Sequence, residues 1–361
     1  MFRESRLTLL YTECFTMLNN IPYELSDYAL EKYFREVGER QGWLPHKDDK
    51  RVFIAVSGGG DSIALLWLFK KFYKGDVWTI HVNHGIRGQE SDEDENFVKN
   101  FAGQAIVINV NVPEERLKGE SIEAAARRIR HEKIIESAKS FEIDTVFLGH
   151  NRDDLAETVL FNILRGTGIR GGVGITESSE INGIKFYRPL LGLRREFLRD
   201  ILRVRNIQWR EDSTNSDSKY TRNYIRLKLL PDIETHINSS AIEHLANFGE
   251  EMRSIRERED SISTELFNAC LVNRDNDANT ILNRKILRTL DEDKIALIIR
   301  EAGRKLNLKT LSRERCAELA TLISAPKNFI FQWCGGFTVN GISNRIIFED
   351  KRGEENNNAS K

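Results

Sequence analysis

Three short runs in this chain carry residue types and spacings suited to handling a nucleotide. The first is Ser57-Gly58-Gly59-Gly60-Asp61-Ser62. Glycines let backbone N–H groups turn towards an anion with no Cβ in the way, and a helix starting there adds positive potential. Together they form a cradle for phosphates. No Gly-Lys-Ser/Thr follows the glycines, so this is not a Walker A loop. An acidic residue near phosphates needs a cation, which assigns Asp61 to Mg2+. Ser57 and Ser62 can add hydroxyl donors. The plainer alternative is a strand-to-helix turn with Asp61 as a simple cap.

The second run is His81-Val82-Asn83-His84-Gly85-Ile86-Arg87 and the third is Gly149-His150-Asn151-Arg152-Asp153-Asp154-Leu155-Ala156-Glu157-Thr158. His84 and Arg87 are candidates for the same nucleotide, or solvated loop residues. His81 is equally well read as a satisfied core histidine. On a helix after Gly149, Asn151, Asp154, Thr158, Asn162 and Arg165 share one face, with Leu155, Val159 and Ile163 beside it as core candidates. Glu157 lies three residues after Asp154. Two carboxylates this close need a cation between them, and Mg2+ or an ammonium group would serve.

The elements that must position these runs alternate. RVFIAVS, VWTIHVN, AIVINV and DTVFLG read as strands, separated by helical stretches such as DSIALLWLFKKF and SIEAAARRIRHEKIIESAKS. That pattern predicts βαβ units, a doubly wound parallel sheet and an α/β fold class. With strand order 3-2-1-4, the ends of strands one, two and four converge on one crevice. Ser26 and Asp27 read as a helix start. Residues 1–26 form an N-terminal extension and 27–234 the catalytic domain. Residues 235–350 form a second, smaller α+β domain, with a β-meander in NFIFQWCGGFTVNGISNRIIFED. KRGEENNNASK, 351–361, is expected to be a disordered tail.

The chain of 361 residues has a formal net charge of −1, so any nucleic-acid surface must be local. From Lys185 to Pro231, twelve basic residues face five acids, with Tyr187, Trp209, Tyr220 and Tyr224 interleaved. Arginine among aromatics suits phosphate contacts and stacking on unpaired bases. Arg165, Arg188, Arg194, Arg195 and Arg226 are the candidate contacts. Arg127 and Arg130 either extend that surface or form a solvated helix face. Cys14, Cys270, Cys316 and Cys334 are too scattered for a disulfide framework or a zinc or iron–sulfur site. No apolar run approaches the roughly 20 residues of a membrane helix. A cytoplasmic protein is expected, and a homodimer is compatible with the sequence, which fixes no oligomeric state.

The hexapeptide at 57–62 resembles the signature of the N-type ATP pyrophosphatases, whose fold is adenine nucleotide alpha hydrolase-like. The ordered set is narrower. HVNHGIR, SIEAAARRIR, GHNRDDLAETVLFNILRGTGIRG, Arg188-Pro189-Leu190-Leu191, and Trp209 through DSTN to Tyr220, Arg222-Asn223, Arg226 and Pro231 together resemble the bacterial tRNA(Ile)-lysidine synthetases. That resemblance implies a ligase. It would use ATP to adenylate the wobble cytidine of the minor isoleucine tRNA with a CAU anticodon, then join L-lysine to C2, releasing AMP and pyrophosphate. It also implies that His150, Asp154 and Arg222 serve cytidine activation, with Asp154 and Glu157 gripping the lysine ammonium. Family members often carry a further C-terminal domain, and this chain reads as a shorter form. A tRNA thiolase of the same superfamily and a non-catalytic ATP-binding module remain the alternatives. No cysteine falls in the motif region, which counts against the thiolase.

Overall fold

The structure is a computed structural model describing residues 26–44, 50–85, 88–103, 105–211, 221–275 and 279–350. The expectations for 1–25, for Arg87 and for the tail lie outside the described residues. The chain divides into two compact units, with the division between Met252 and Arg253.

In the first unit a six-stranded sheet runs β3 (Ala105–Asn109), β2 (Val77–Asn83), β1 (Val52–Ala55), β4 (Thr145–Leu148), β6 (Ile184–Tyr187), β5 (Ser178–Ile181). The first five in that order are parallel and β5 is an antiparallel edge. This is the predicted doubly wound order, extended by a hairpin that the sequence reading passed over. Its signal was present. Asn182-Gly183 joins β5 to β6 with φ of 54° and 81°, the pair a two-residue turn with both residues at positive φ demands.

The sheet is buried on both faces, which is why its strands read as continuous apolar runs. Ile54 and Phe147 pack with Phe34, Ile63, Leu66 and Phe69 on one side. Phe53, Ile80 and Phe186 pack with Ile134 and Ile135 on the other. The helix Asp27–Gln41 starts as expected, with the Ser26 hydroxyl accepting from the Ala29 N–H.

The second unit holds an antiparallel sheet ordered β7 (Leu271–Asp275), β8 (Asn279–Asn283), β11 (Arg345–Asp350), β10 (Phe337–Ile342), β9 (Phe329–Gln332). The helices Glu292–Lys305 and Arg313–Ser324 contribute Ile295, Ile298 and Leu319 to a core with Val339 and Phe348. The expected meander is there as β9–β11, and β7 and β8 enlarge it.

The expected domain boundary at 234/235 is corrected by the helix Ala241–Cys270. Its first turns belong to the first unit. Ala246 is buried with Leu155 and Val159, and Ile242 with Ala156 and Ile225. Among the described residues, no helix is long and apolar enough to cross a membrane.

Candidate active site

The ends of β1, β2 and β4 open into one cavity of about 780 Å³. Ser57, Gly59, Gly60, Asp61 and Ser62 line it from β1, His81 and His84 from β2, and Gly149, His150 and Asp154 from β4 and the helix beyond. The convergence expected from strand order is therefore present.

The loop at 57–62 holds its shape by internal bonds. Ser62 Oγ donates to Gly59 O at 2.8 Å and accepts from the Ser57 N–H at 3.2 Å. The Ser62 hydroxyl proton is thus committed within the turn. Gly58 has φ of 94°, a conformation that favours glycine. The helix that follows, Gly60–Phe72, has no side-chain cap, so its first N–H groups face the cavity mouth uncapped. Gly149 lets β4 approach this turn. A Cβ there would stand 3.1 Å from Ser62 N and Cα.

His81 takes its plain reading. Its Nδ1 lies 2.8 Å from Val56 O, joining β2 to β1, and burial lowers its pKa. His150 differs, because its buried Nδ1 has no hydrogen-bond partner. Burial pushes its pKa far down, with Arg188, Arg130 and Arg127 adding to the effect and Asp154 opposing it. At neutral pH the ring is uncharged, so it can offer a phosphate an N–H but no positive charge.

The acid pair shows the largest departure from expectation. Asp154 closes a capping box with Asn151: Asp154 N donates to Asn151 Oδ1 at 2.9 Å, and Asn151 N to Asp154 Oδ2 at 3.0 Å. In this structure the cation that bridges Asp154 and Glu157 is Arg195. Its Nη2 donates to Asp154 Oδ1 and to Glu157 Oε1, each at 2.8 Å. Its Nε lies 3.8 Å from Asp61 Oδ2, and Arg226 Nε lies 3.8 Å from Glu157 Oε1. Burial raises the pKa of Glu157, whereas Arg195 and His150 outweigh burial at Asp154 and lower its own. Glu157 is buried and is not among the residues lining the cavity, so it faces the site through Arg195. Asp61 is pushed up to about 6, first by burial and then by Asp154. Arg195 and Arg226 oppose that rise without cancelling it.

The predicted arginine surface is largely neutralised by acids and carbonyls distant in sequence. Arg188 is buried and donates to Thr176 O and Ser179 Oγ. Arg194 pairs with Asp153 and Glu234, and Arg210 with Glu93 and Asp94. In this structure Arg188, Arg194 and Arg195, read from the sequence as tRNA contacts, are each held by protein groups. Arg130 and Arg226 line the cavity. Arg127 and Arg165 are exposed, with Arg165 over the Phe161 ring at 5.1 Å. Arg222 donates to Thr158 Oγ1 at 2.8 Å and is not among the cavity's lining residues. On the same helix Ile163 is exposed, against expectation, while Leu155 and Val159 are buried.

Sequence reasoning placed segment 209–211 on the arginine-rich surface and missed that it reaches the phosphate loop. Arg210 N donates to Gly58 O at 3.0 Å, and the Trp209 ring packs on Gly60, where a Cβ would lie 3.4 Å from Trp209 Cδ1. Trp209, Arg210, Arg199 and His131 all line the cavity. Nothing in local sequence signals a strap that reaches the loop across roughly 150 residues of chain.

Residues 27–233 match the PP-loop domain family. The chain is 36% identical over 225 residues to the tRNA(Ile)-lysidine synthase of Caldanaerobacter subterraneus subsp. tengcongensis, covering 60% of this chain and 47% of that one. It is 38% identical over 204 residues to the tRNA(Ile)-lysidine synthase of Solibacter usitatus, covering 56% and 46%. For that of Clostridioides difficile the figures are 34% over 219 residues, 58% and 46%. The chain thus spans about half the length of the curated relatives it matches.

Proposed function

The chain belongs to the PP-loop domain family, and from that premise we propose that it is a tRNA(Ile)-lysidine synthetase. It would use ATP to adenylate the C2 oxygen of the wobble cytidine in the isoleucine tRNA with a CAU anticodon. Pyrophosphate leaves in that step; free L-lysine, its ε-amine deprotonated, then attacks C2, and AMP leaves with the former C2 oxygen. One observation carries the reading: a single cavity joins the uncapped phosphate loop to Asp154 and Arg195, with Glu157 buried behind that arginine.

Each part has a physical task. The C2 oxygen is a poor leaving group until it carries an adenylate. The 57–62 loop and the open helix N-terminus would receive the β- and γ-phosphates, favouring charge that builds as pyrophosphate departs. Asp61 would hold Mg2+ together with phosphate oxygens, since it lines the cavity beside the phosphate loop. When bound, that ion supplies charge neutralisation for the leaving pyrophosphate. His150 would donate an N–H to the nucleotide, with His84, Arg130 and Arg226 on the same wall. Arg222 would act by fixing Thr158 on the acid-bearing helix. Asp154 and Glu157 would bind the lysine ammonium. The exposed Arg127 and Arg165 are the remaining candidates for tRNA phosphates.

The test is incubation with ATP, labelled lysine and bulk bacterial tRNA. Label in tRNA, with AMP formed in step, supports the synthetase. AMP release that needs a sulfur donor would instead make it a thiolase. Glu157→Gln should chiefly raise the lysine KM, and an unchanged KM would move the ammonium site elsewhere.

A further inference from the structure

We propose that Arg195 sets the order in which the two small substrates bind, holding the Asp154–Glu157 pair until a nucleotide's phosphates draw its guanidinium away. The amine site then opens only after ATP is in place. This rests on the reading of the cavity as an ATP site that takes lysine.

A single nitrogen, Nη2, contacts both carboxylates at 2.8 Å, and the second oxygen of Asp154 is already engaged by the Asn151 N–H at 3.0 Å. An ammonium group entering here would meet a guanidinium on the same oxygens, and two cations that close repel. Arg195 has a second direction available. Its Nε is buried without a hydrogen-bond partner and lies 3.8 Å from Asp61 Oδ2, beside the phosphate loop.

The backbone at this residue is pinned, because Arg195 N donates to Asp153 Oδ2 at 2.8 Å. The side chain alone can therefore swing from the acids towards the loop. A triphosphate offers several charged oxygens and matches a guanidinium fork in two parallel bonds, whereas the pair is met by a single nitrogen. Once Arg195 turns to it, the carboxylates have lost a cation that an ammonium group replaces. Arg226, 3.8 Å from Glu157, stays with the pair. The coupling must be reciprocal, so lysine tightens nucleotide binding by the same factor.

Calorimetric titration of L-lysine into the full chain, with and without α,β-methylene-ATP and Mg2+, tests this. Lysine should bind at least tenfold more tightly with the analogue, and the analogue should gain the same factor from lysine. Arg195→Ala should bind lysine equally in both conditions, with its melting temperature recorded to establish folding. Arg195→Lys, which keeps a cation without the fork, should retain a reduced dependence. Wild-type lysine affinity that ignores the analogue overturns the proposal and leaves the lysine reading standing. A full tenfold dependence in either variant also overturns it. Lysine binding in neither condition overturns both.

Discussion

Two helix N-termini meet the same cavity and are finished in opposite ways. Gly60–Phe72 starts on Gly59 with no capping side chain, whereas Arg152–Leu164 starts on Asn151 in a capping box with Asp154. The open end keeps its N–H groups and the positive pole of its dipole for an anion. The sealed end satisfies its own N–H groups and places carboxylates in its first two turns, with Arg195 across them. One type of element thus supplies binding poles of opposite sign. The choice is made by the residues at the cap and the first turn, not by the helix itself.

The strongest way to break this comparison is at the open end. Asp61→Asn should lower tRNA-dependent ATP–pyrophosphate exchange by about a thousandfold, the scale seen when a charged transition-state contact is lost. Normal exchange would remove Asp61 from the nucleotide site. At the sealed end, Arg195→Ala strands two buried carboxylates and should cost about 3–5 kcal/mol in urea unfolding. Arg203→Ala, whose partners Glu196 and Asp200 are exposed, should stay within about 0.5 kcal/mol. Equal losses in the two variants would mean that Arg195 does not clamp the pair.

A pH experiment sharpens the contrast further. Because the folded protein holds Asp61 at about 6, above the ordinary aspartate value of 3.8, ionising it costs stability. The penalty is absent below pH 3.8, grows between there and about 6, and is complete at neutral pH. Without nucleotide or Mg2+, Asp61→Asn should therefore unfold at a higher temperature than wild type at pH 7.5, by an amount of order 2 kcal/mol. The difference should vanish near pH 4, and a less stable variant at pH 7.5 would contradict the burial argument. The smallest effect belongs to the cap. Asn151→Ala should lose about 1 kcal/mol in thermal unfolding, and a neutral result would show that the box contributes nothing.

The open end was legible in the sequence because glycine carries its meaning locally. Gly58 to Gly60 between an apolar run and a helical pattern can do little other than turn a backbone inward. The alternation of strands and helices was legible for a similar reason, since burial on both faces leaves continuous apolar runs. Charges were not legible in that way. The arginines between 185 and 231 outnumber the acids beside them in sequence; Arg203 pairs locally with Glu196 and Asp200, yet Arg210 is met by Asp94 and Arg194 by Asp153. An arginine's reach is several ångströms, and sequence distance says nothing about who stands within it. The acid pair was likewise rightly read as needing a cation, but the candidates were a metal or a substrate, because Arg195 is 38 residues from Glu157. Trp209 and Arg210 were assigned to an RNA surface for the same reason.

Arg152 is nearly inaccessible to solvent, and its guanidinium reaches Glu243, Glu250 and Asn247 at the start of the helix Ala241–Cys270. A fragment trimmed at residue 233, where the family match stops, would discard all three of those partners. It would strip two carboxylates from a buried guanidinium in the first turn of the acid-bearing helix, at a cost that truncation of a buried ion pair makes severe. Anyone seeking a minimal autonomous catalytic piece should keep the chain through at least Glu250.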